Sequence, residues 1–551
     1  MTIEALQYSR LDSAFAHFLA QRTSFEKKQK KDFETLCAEL SCQQSQGHSC
    51  MQVNEAEQQL IRASGLASEH DLSPLILEQN RLYLHRYWFY ENRLALVIKG
   101  LLSRTFPNKE LEPLLNRYFI ELIDETDWQR EAAKKAVSQA FTIISGGPGT
   151  GKTTTVVKIL ALLQELEAKQ ESFLHIALAA PTGKAAMRLQ ESIGLSKQTL
   201  PCSEAIKQHI PETVSTLHHL LGAQPPSPYF KHDSTHPLVY DLVVVDEASM
   251  VDLALMSKLL DALKPTARLI LLGDKDQLAS VESGAVLADL TAALSKHTVE
   301  LIKSHRFQGD IKILADAVNK QAVEEAWKIL EKGQQQVSLL EEDLIAYAIE
   351  QYAPYLLEIK NNADYKTIFS AFSQFQILCS NRHGDYGVVD VNKRIEEMLA
   401  RLGRIRLSGQ WYVGRPVMVT QNNAAMQLYN GDIGLSLIDK ESGRLAVYFM
   451  RPDGSIKKVL PSRIPAHETV FAMTIHKSQG SEFDQCLCVL PDKINPVLSK
   501  ELIYTAITRA KVKLKIRASH AVFSKALLQK VERTGGLFEK LTALLNVGTG
   551  C

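Results

Sequence analysis

No run of 18 consecutive apolar residues occurs in this chain, so no membrane-spanning helix is expected. An excess of either charge is also missing. Lys and Arg total 63 against 62 Asp and Glu, a net +1. A protein that coats nucleic acid non-specifically usually shows a basic excess, so that balance does not argue for one. It leaves room for one that grips a strand through a local basic lining. Cysteines number only eight in 551 residues, which does not suit a disulfide scaffold. The opening MTIEALQYSR is polar and charged and is not expected to act as a secretory leader. Reduced thiols and a cytoplasmic location are the expectation. Fixed-period repeats and low-complexity tracts are absent as well. The remaining composition, 45% hydrophobic and 23% charged, is that of an ordinary globular chain. Its length favours three or four domains.

One cysteine group sits close together: Cys37, Cys42, His48 and Cys50. Their spacings match no common zinc pattern, and small buried side chains are the expected reading. Residues 1–105 read as mainly helical. Leu36, Leu40 and the stretch LILEQNRLYLHRYWFYENRLALVI carry apolar residues at helical spacing. Aromatics crowd this stretch at Tyr83, Tyr87, Trp88, Phe89 and Tyr90. Such a stripe either fills a local core or forms a docking surface for another subunit.

From about residue 110 the pattern changes. FTIIS, HIALAA, LVVVDEAS and RLILLGD are short aliphatic runs bounded by turn residues, as buried parallel strands are. Helical patterns lie between them, so 110–305 reads as a doubly wound α/β domain. A second α/β domain is expected over 306–551, with FQILCS, RPVMVT, VFAMT and QCLCVLP as strands. Within it, alternation with Gly and Asp-Gly turns predicts a small antiparallel β insertion at about 431–468.

The chemistry starts at Gly146-Gly147-Pro148-Gly149-Thr150-Gly151-Lys152-Thr153, which fits G-x-x-x-x-G-K-[ST]. It follows one strand candidate and opens the helical run TTTVVKILALLQEL from Thr153, the context a phosphate loop requires, and Thr154 is counted with the loop among the nucleotide-binding positions. Its glycines let backbone N–H groups turn around phosphates, and the helix start adds positive potential. Lys152 is the expected contact to the outer phosphates of ATP. The Thr153 hydroxyl is the expected Mg²⁺ ligand. LVVV then ends in Asp246 and Glu247. Asp246 is expected to hold Mg²⁺ through water, and Glu247 to orient the attacking water. Gln277, after the strand RLILL, is a candidate γ-phosphate sensor. Arg306 in KSHRF and Arg509 in TAITRAK are candidates for stabilising charge on the transferred phosphoryl group.

The ordered set GGPGTGKT, APTGKAA, DEAS, LLGDKDQLASVESG, SHRF, TIHKSQGSEFD and YTAITRAK resembles the superfamily 1 helicases, from Gln129 to Lys511. Within them the chain is most similar to the RecD family, the α subunits of exonuclease V. RLYLHRYWFYE, LSCQQSQGHSC, LCSNRHGDYGVVDVNKRIE and GRPVMVTQNNAAMQLYNGDIG carry that resemblance. It implies two RecA-like motor domains, a helical N-terminal docking domain and an SH3-like insertion. It implies that Gln129 reads adenine, that Glu482 binds the ribose and that Gly480 lies near the γ-phosphate. Arg306 and Arg509 become arginine fingers. Where the family has a tyrosine before the first of these, this chain has His305. Thr182, Lys184, Thr216, His218, Thr474 and His476 resemble strand-contacting positions. The resemblance further implies a 5′→3′ DNA motor that works with RecB and RecC on double-strand breaks, with the nuclease on RecB. Two alternatives stand beside it. One is a stand-alone RecD-like helicase, though the long extra N-terminal region of those proteins is not visible. The other is a regulatory subunit without ATPase activity, which the intact motif residues oppose.

Overall fold

The aliphatic runs FTIIS, HIALAA, LVVV and RLILL have no polar alternation, so they suit a sheet covered on both faces. A computed structural model describes residues 8–546 apart from 70–71, 107–109, 120–125, 281, 304–308, 334, 408, 424, 452–453 and 532. In it these runs form the centre of a six-stranded parallel sheet. Its spatial order is Thr298–Leu301, Phe141–Gly146, Arg268–Gly273, Leu242–Val245, Ile176–Ala180 and Val214–Thr216. Every residue of the four central strands is buried. Separate apolar cores cover the two faces. The strand order reverses beside Phe141–Gly146, where such sheets open a ligand crevice at their carboxyl ends.

A second parallel sheet has five strands, in the order Val337–Leu339, Ala510–Arg517, Phe483–Val489, Phe375–Cys379 and Ala472–Thr474. RPVMVT, expected in this sheet, is elsewhere. Arg415–Val419 belongs to a five-stranded antiparallel sheet with Ile456–Val459, Leu445–Met450, Ile433–Ile438 and His467–Thr469. The antiparallel unit therefore reaches back to Arg415 and out to Thr469. The reason is burial on both sides. Val417 and Val419 face the small sheet's own core, while Met418 faces the core of the second motor. A doubly buried antiparallel strand has the same pattern as a parallel one.

The N-terminal region is mainly helical, with Arg10–Ala20, Lys27–Ser45, Glu55–Ala63 and His85–Leu102. It also holds a four-stranded sheet that the helical periodicity did not predict. LILEQNRLYL is a hairpin: Leu75–Glu78 pairs antiparallel with Arg81–Leu84. The turn lies at Gln79 and Asn80, with Gln79 at φ 56°. The helix begins only at His85. Four of the aromatics serve cores. Tyr83 is buried with Cys50 and Ile76, and Trp88 packs on that group. Tyr87 and Tyr90 lie against the first motor's core, into which the same helix sends Leu94, Ile98 and Leu101. Only Phe89 of the five stands largely free, at 45% exposed.

Cys37 and Cys42 are buried in the N-terminal region, and His48 Nδ1 accepts a hydrogen bond from Thr534 N at 2.8 Å. Among the described residues, no three or more His, Cys, Asp or Glu are grouped to hold a metal ion. None of the described helices is long and apolar enough to cross a membrane.

The chain's end returns to its beginning. Helix Leu537–Asn546 packs on His85–Leu102 and on Val286–Ala293. Glu539 pairs with Arg81 at 2.6 Å, and Lys540 bonds Glu78 and Asn92. Glu91, buried, accepts from Gly536 N at 3.0 Å and from Ser49 Oγ at 2.6 Å. Burial holds the Glu91 carboxyl above the usual carboxylate range against those two donors.

Candidate nucleotide site

Strand Phe141–Gly146 ends in the phosphate loop, and helix Lys152–Ala168 follows it. Gly149 (φ 78°) and Gly151 (φ 83°) take the left-handed backbone that only glycine adopts without strain. The Lys152 ammonium donates to the carbonyls of Gly146 at 2.6 Å and Gly147 at 3.1 Å, and Thr150 Oγ1 donates to Gly147 O at 2.9 Å. Asp127 caps helix Trp128–Ser138 by accepting from the amides of Gln129 and Arg130. That cap aims the Gln129 side chain at the loop, where Nε2 donates to Thr150 O at 3.3 Å.

Two strands deliver acids to the same place. Asp246 follows Leu242–Val245, and its Oδ1 accepts from Glu247 N at 2.9 Å. Burial pushes the Asp246 carboxyl up to about 6; the neighbouring Glu247 adds to this and Lys152 opposes it. Glu247 sits at φ 51°, a conformation that costs a non-glycine residue on the order of 1 kcal/mol. Asp274 follows Arg268–Gly273 and accepts from Gln277 Nε2 at 3.0 Å and from Tyr504 Oη at 3.1 Å. Burial raises Asp274 as well.

The opposite wall comes from the second motor. Arg509 is 2% exposed. Its Nε donates to Thr505 O and an Nη to Ser481 O, both at 3.1 Å. Burial lowers its pKa, while Glu247 and Glu482 counteract that shift. Glu482 forms an ion pair with Arg188 of helix Gly183–Gln198, across the gap between the motors. Together these groups enclose a cavity of about 1000 Å³.

Of the residues expected from sequence, Gln129, Pro148, Gly149, Gly151, Lys152, Thr153, Thr154, Asp246, Glu247, Gln277, Gly480, Glu482 and Arg509 line this one cavity. Gly147 and Thr150 belong to its loop. His305 and Arg306 lie outside the described residues. Arg188 and Lys511 also line the cavity, and Asp274 and Tyr504 bond beneath it, at positions to which the motifs assign no role. Arg188 stands one helical turn after Lys184 of APTGKAA, and Tyr504 opens YTAITRAK, so helix phase was the available signal.

The six expected strand contacts do not share one environment. Thr182, Thr216 and Thr474 each use the hydroxyl oxygen to accept a local amide, from Ala185, His219 and Lys477. Each still has an O–H to donate. Lys184 does not line the cavity: burial pushes it down to about 8, Arg188 and Arg509 add to that, and Asp432 opposes it. His218 meets Phe230 edge to face at 5.8 Å. Burial, with Arg533 beside it, lowers His476.

Two parallel sheets that share one phosphate-loop cleft, each giving charged residues to it, define an ATP-dependent helicase motor. Comparisons with known proteins agree. Residues 129–283 match the model of an AAA domain, and 469–516 that of a UvrD-like helicase C-terminal domain. Residues 4–69 match the N-terminal domain of RecBCD enzyme subunit RecD. The RecBCD enzyme subunit RecD of Haemophilus influenzae is 38% identical, over 86% of this chain and 82% of the relative. That of Mycolicibacterium smegmatis is 39% identical, over 84% and 82%. The ATP-dependent RecD2 DNA helicase of Deinococcus radiodurans is 29% identical, over 87% of this chain and 62% of its own length. The chain belongs to the RecD family of helicases.

Proposed function

We propose that this chain is a 5′→3′ DNA motor that joins RecB and RecC and draws one strand from a broken duplex end. The observation that carries the reading is the single cavity lined from one motor by Lys152, Asp246 and Glu247 and from the other by Glu482 and Arg509. A nucleotide bound there touches both motors, so binding and hydrolysis can close and open the gap between them. In this reading Gln129 recognises adenine and Glu482 the ribose, while Lys152 neutralises the outer phosphates. Gln277 reports the γ-phosphate. Arg509, with its fork already fixed by backbone carbonyls, meets the charge that develops in the transition state. Glu247 orients water for attack. The Thr153 hydroxyl and the Asp246 carboxylate are hard oxygen donors lining the same cavity, which suits Mg²⁺. Bound there, Mg²⁺ would screen phosphate charge.

The N-terminal match and the greater share of RecD than of RecD2 covered support the subunit reading over the stand-alone one. The reading is tested with ATP and duplexes carrying a 5′ or a 3′ single-stranded tail. Unwinding from the 5′ tail is expected, and unwinding from the 3′ tail alone would reject the polarity.

Docking to RecB and RecC is assigned to the face of His85–Leu102 that carries Phe89 and Leu96, 45% and 57% exposed. They are seven residues apart and so share a helix face. Removing residues 1–105 would be a poor test, because Leu94, Ile98 and Leu101 complete the first motor's core. The double substitution Phe89→Asp and Leu96→Asp leaves that core alone. It should abolish co-elution with RecB and RecC in size-exclusion chromatography, with an unchanged circular dichroism spectrum. Stoichiometric co-elution would remove the docking role from this face.

A further inference from the structure

We propose that Arg533 is a positioning residue for the nucleotide site, acting through residues 278–280 on Gln277. The loop begins where the cavity ends. Gln277 lines the cavity, and the next residue is held by the second motor at both backbone groups. Leu278 N donates to Thr505 Oγ1 at 3.0 Å, and Leu278 O accepts from Gln479 Nε2 at 2.9 Å. Thr505 is also the residue whose carbonyl holds Arg509, and Gln479 precedes Gly480. The start of the loop is thus tied to the groups that face the nucleotide from the second motor.

The other end of the loop is tied to Arg533. One Nη donates to Glu282 O at 2.7 Å and Gly284 O at 2.9 Å, and the other bonds Ser280 O. Arg533 follows the second motor's helix His520–Leu528, so it reaches the first motor's loop from outside that motor. Among the described residues it forms no ion pair with a carboxylate; its charge is met by carbonyls. Burial lowers its pKa. The N-terminal region backs the same contact. Gly284 N donates to Gly47 O at 2.9 Å, and Ser283 Oγ to Gln44 O at 3.3 Å. Gly47 stands at φ 95°, and a Cβ there would come within 3.0 Å of Arg533 Cζ. The backbone at Thr534 is fixed in turn by His48 and Ser49.

A planar fork with five donors can hold three carbonyls in one arrangement. Lysine offers a single ammonium on a flexible stem and cannot reproduce that fork. With Arg533 gone, the loop keeps Leu278 at one end and the bonds of Ser283 and Gly284 at the other, but Ser280 O and Glu282 O lose their tie to the second motor, and Gln277 loses part of the support that fixes its distance from the γ-phosphate. Small misplacements of a catalytic group cost large factors in turnover. Nucleotide binding through Lys152, Gln129 and Glu482 does not pass through this loop.

The inference rests on the reading of Gln277 as the phosphate sensor, and the test separates the two. DNA-stimulated ATP hydrolysis is measured on the full chain for Arg533→Ala, Arg533→Lys, Gln277→Ala and the double variant Gln277→Ala/Arg533→Ala. Arg533→Ala should lower kcat about tenfold and leave KM for ATP within about twofold. Arg533→Lys should fall between Arg533→Ala and the parent. The double variant should be no slower than Gln277→Ala, because both substitutions remove one function. A merely structural arginine gives independent, multiplying losses, and that result would overturn the proposal. So would a kcat for Arg533→Ala within about twofold of the parent, or a joint loss of kcat and KM. If Arg533→Ala does not fold, Arg533→Lys in the same two backgrounds gives the same cycle. Full turnover by Gln277→Ala alone would sink the sensor reading itself, and the role of Arg533 with it.

Discussion

Lys152→Ala is expected to reduce DNA-stimulated ATP hydrolysis below about a tenth of the parent's rate, an order of magnitude set by what such cations contribute to phosphoryl transfer. Lys152 is the only lysine or arginine in the phosphate loop, and Asp246 and Glu247 stand opposite it. Without its charge, two carboxylates face the incoming phosphates with less to offset them. The same cation pulls the Asp246 carboxyl down against burial, so its loss should leave Asp246 more readily protonated. Single-strand binding without nucleotide should survive in the variant, because Thr182, Thr216 and Thr474 keep their local amide bonds. Turnover measured above a tenth of the parent would remove Lys152 from its assigned role.

Glu247→Gln should separate binding from chemistry. The amide keeps the shape and hydrogen-bonding reach of the carboxylate but gives up its charge, so hydrolysis is expected to be very slow while ATP still binds. The structure adds a reason for binding to persist. Glu247 is the like charge that, after burial, raises Asp246, and its removal lets Asp246 return toward the ordinary carboxylate range. Asp246 then keeps the negative charge assigned to Mg²⁺. Asp246→Asn should do the reverse and weaken Mg²⁺-dependent nucleotide binding. Equilibrium binding of a fluorescent ATP analogue, set beside single-turnover hydrolysis, distinguishes the two. Loss of binding in Glu247→Gln together with normal hydrolysis in Asp246→Asn would reverse the assignment.

The nucleotide loop was legible because its chemistry is local: eight consecutive residues, a strand before them and a helix after. Asp246 and Glu247 were legible for the same reason. Asp274, Tyr504 and Arg188 were not, since each depends on which way a strand end or helix face points after two sheets come together. The hairpin at Gln79 and Asn80 escaped because neither residue is the glycine that usually marks a tight turn. RPVMVT reads as a strand of the second parallel sheet yet belongs to the antiparallel one, because burial on both faces erases the alternation that marks antiparallel pairing. The aromatic cluster left two readings open, and the structure divides them: Tyr83, Tyr87, Trp88 and Tyr90 fill cores, and Phe89 stays outside.

The return of Leu537–Asn546 to the start of the chain also sets an order for synthesis. Glu91 receives its bond from Gly536 across 445 residues. At usual elongation rates the ribosome needs roughly 20 to 90 s to cover that distance. Until then helix His85–Leu102 waits with the face that Leu537 and Leu541 will cover still bare. A nascent chain is therefore exposed to chaperones and proteases for most of its production. A copy that stops short of Leu537 never acquires its closing helix.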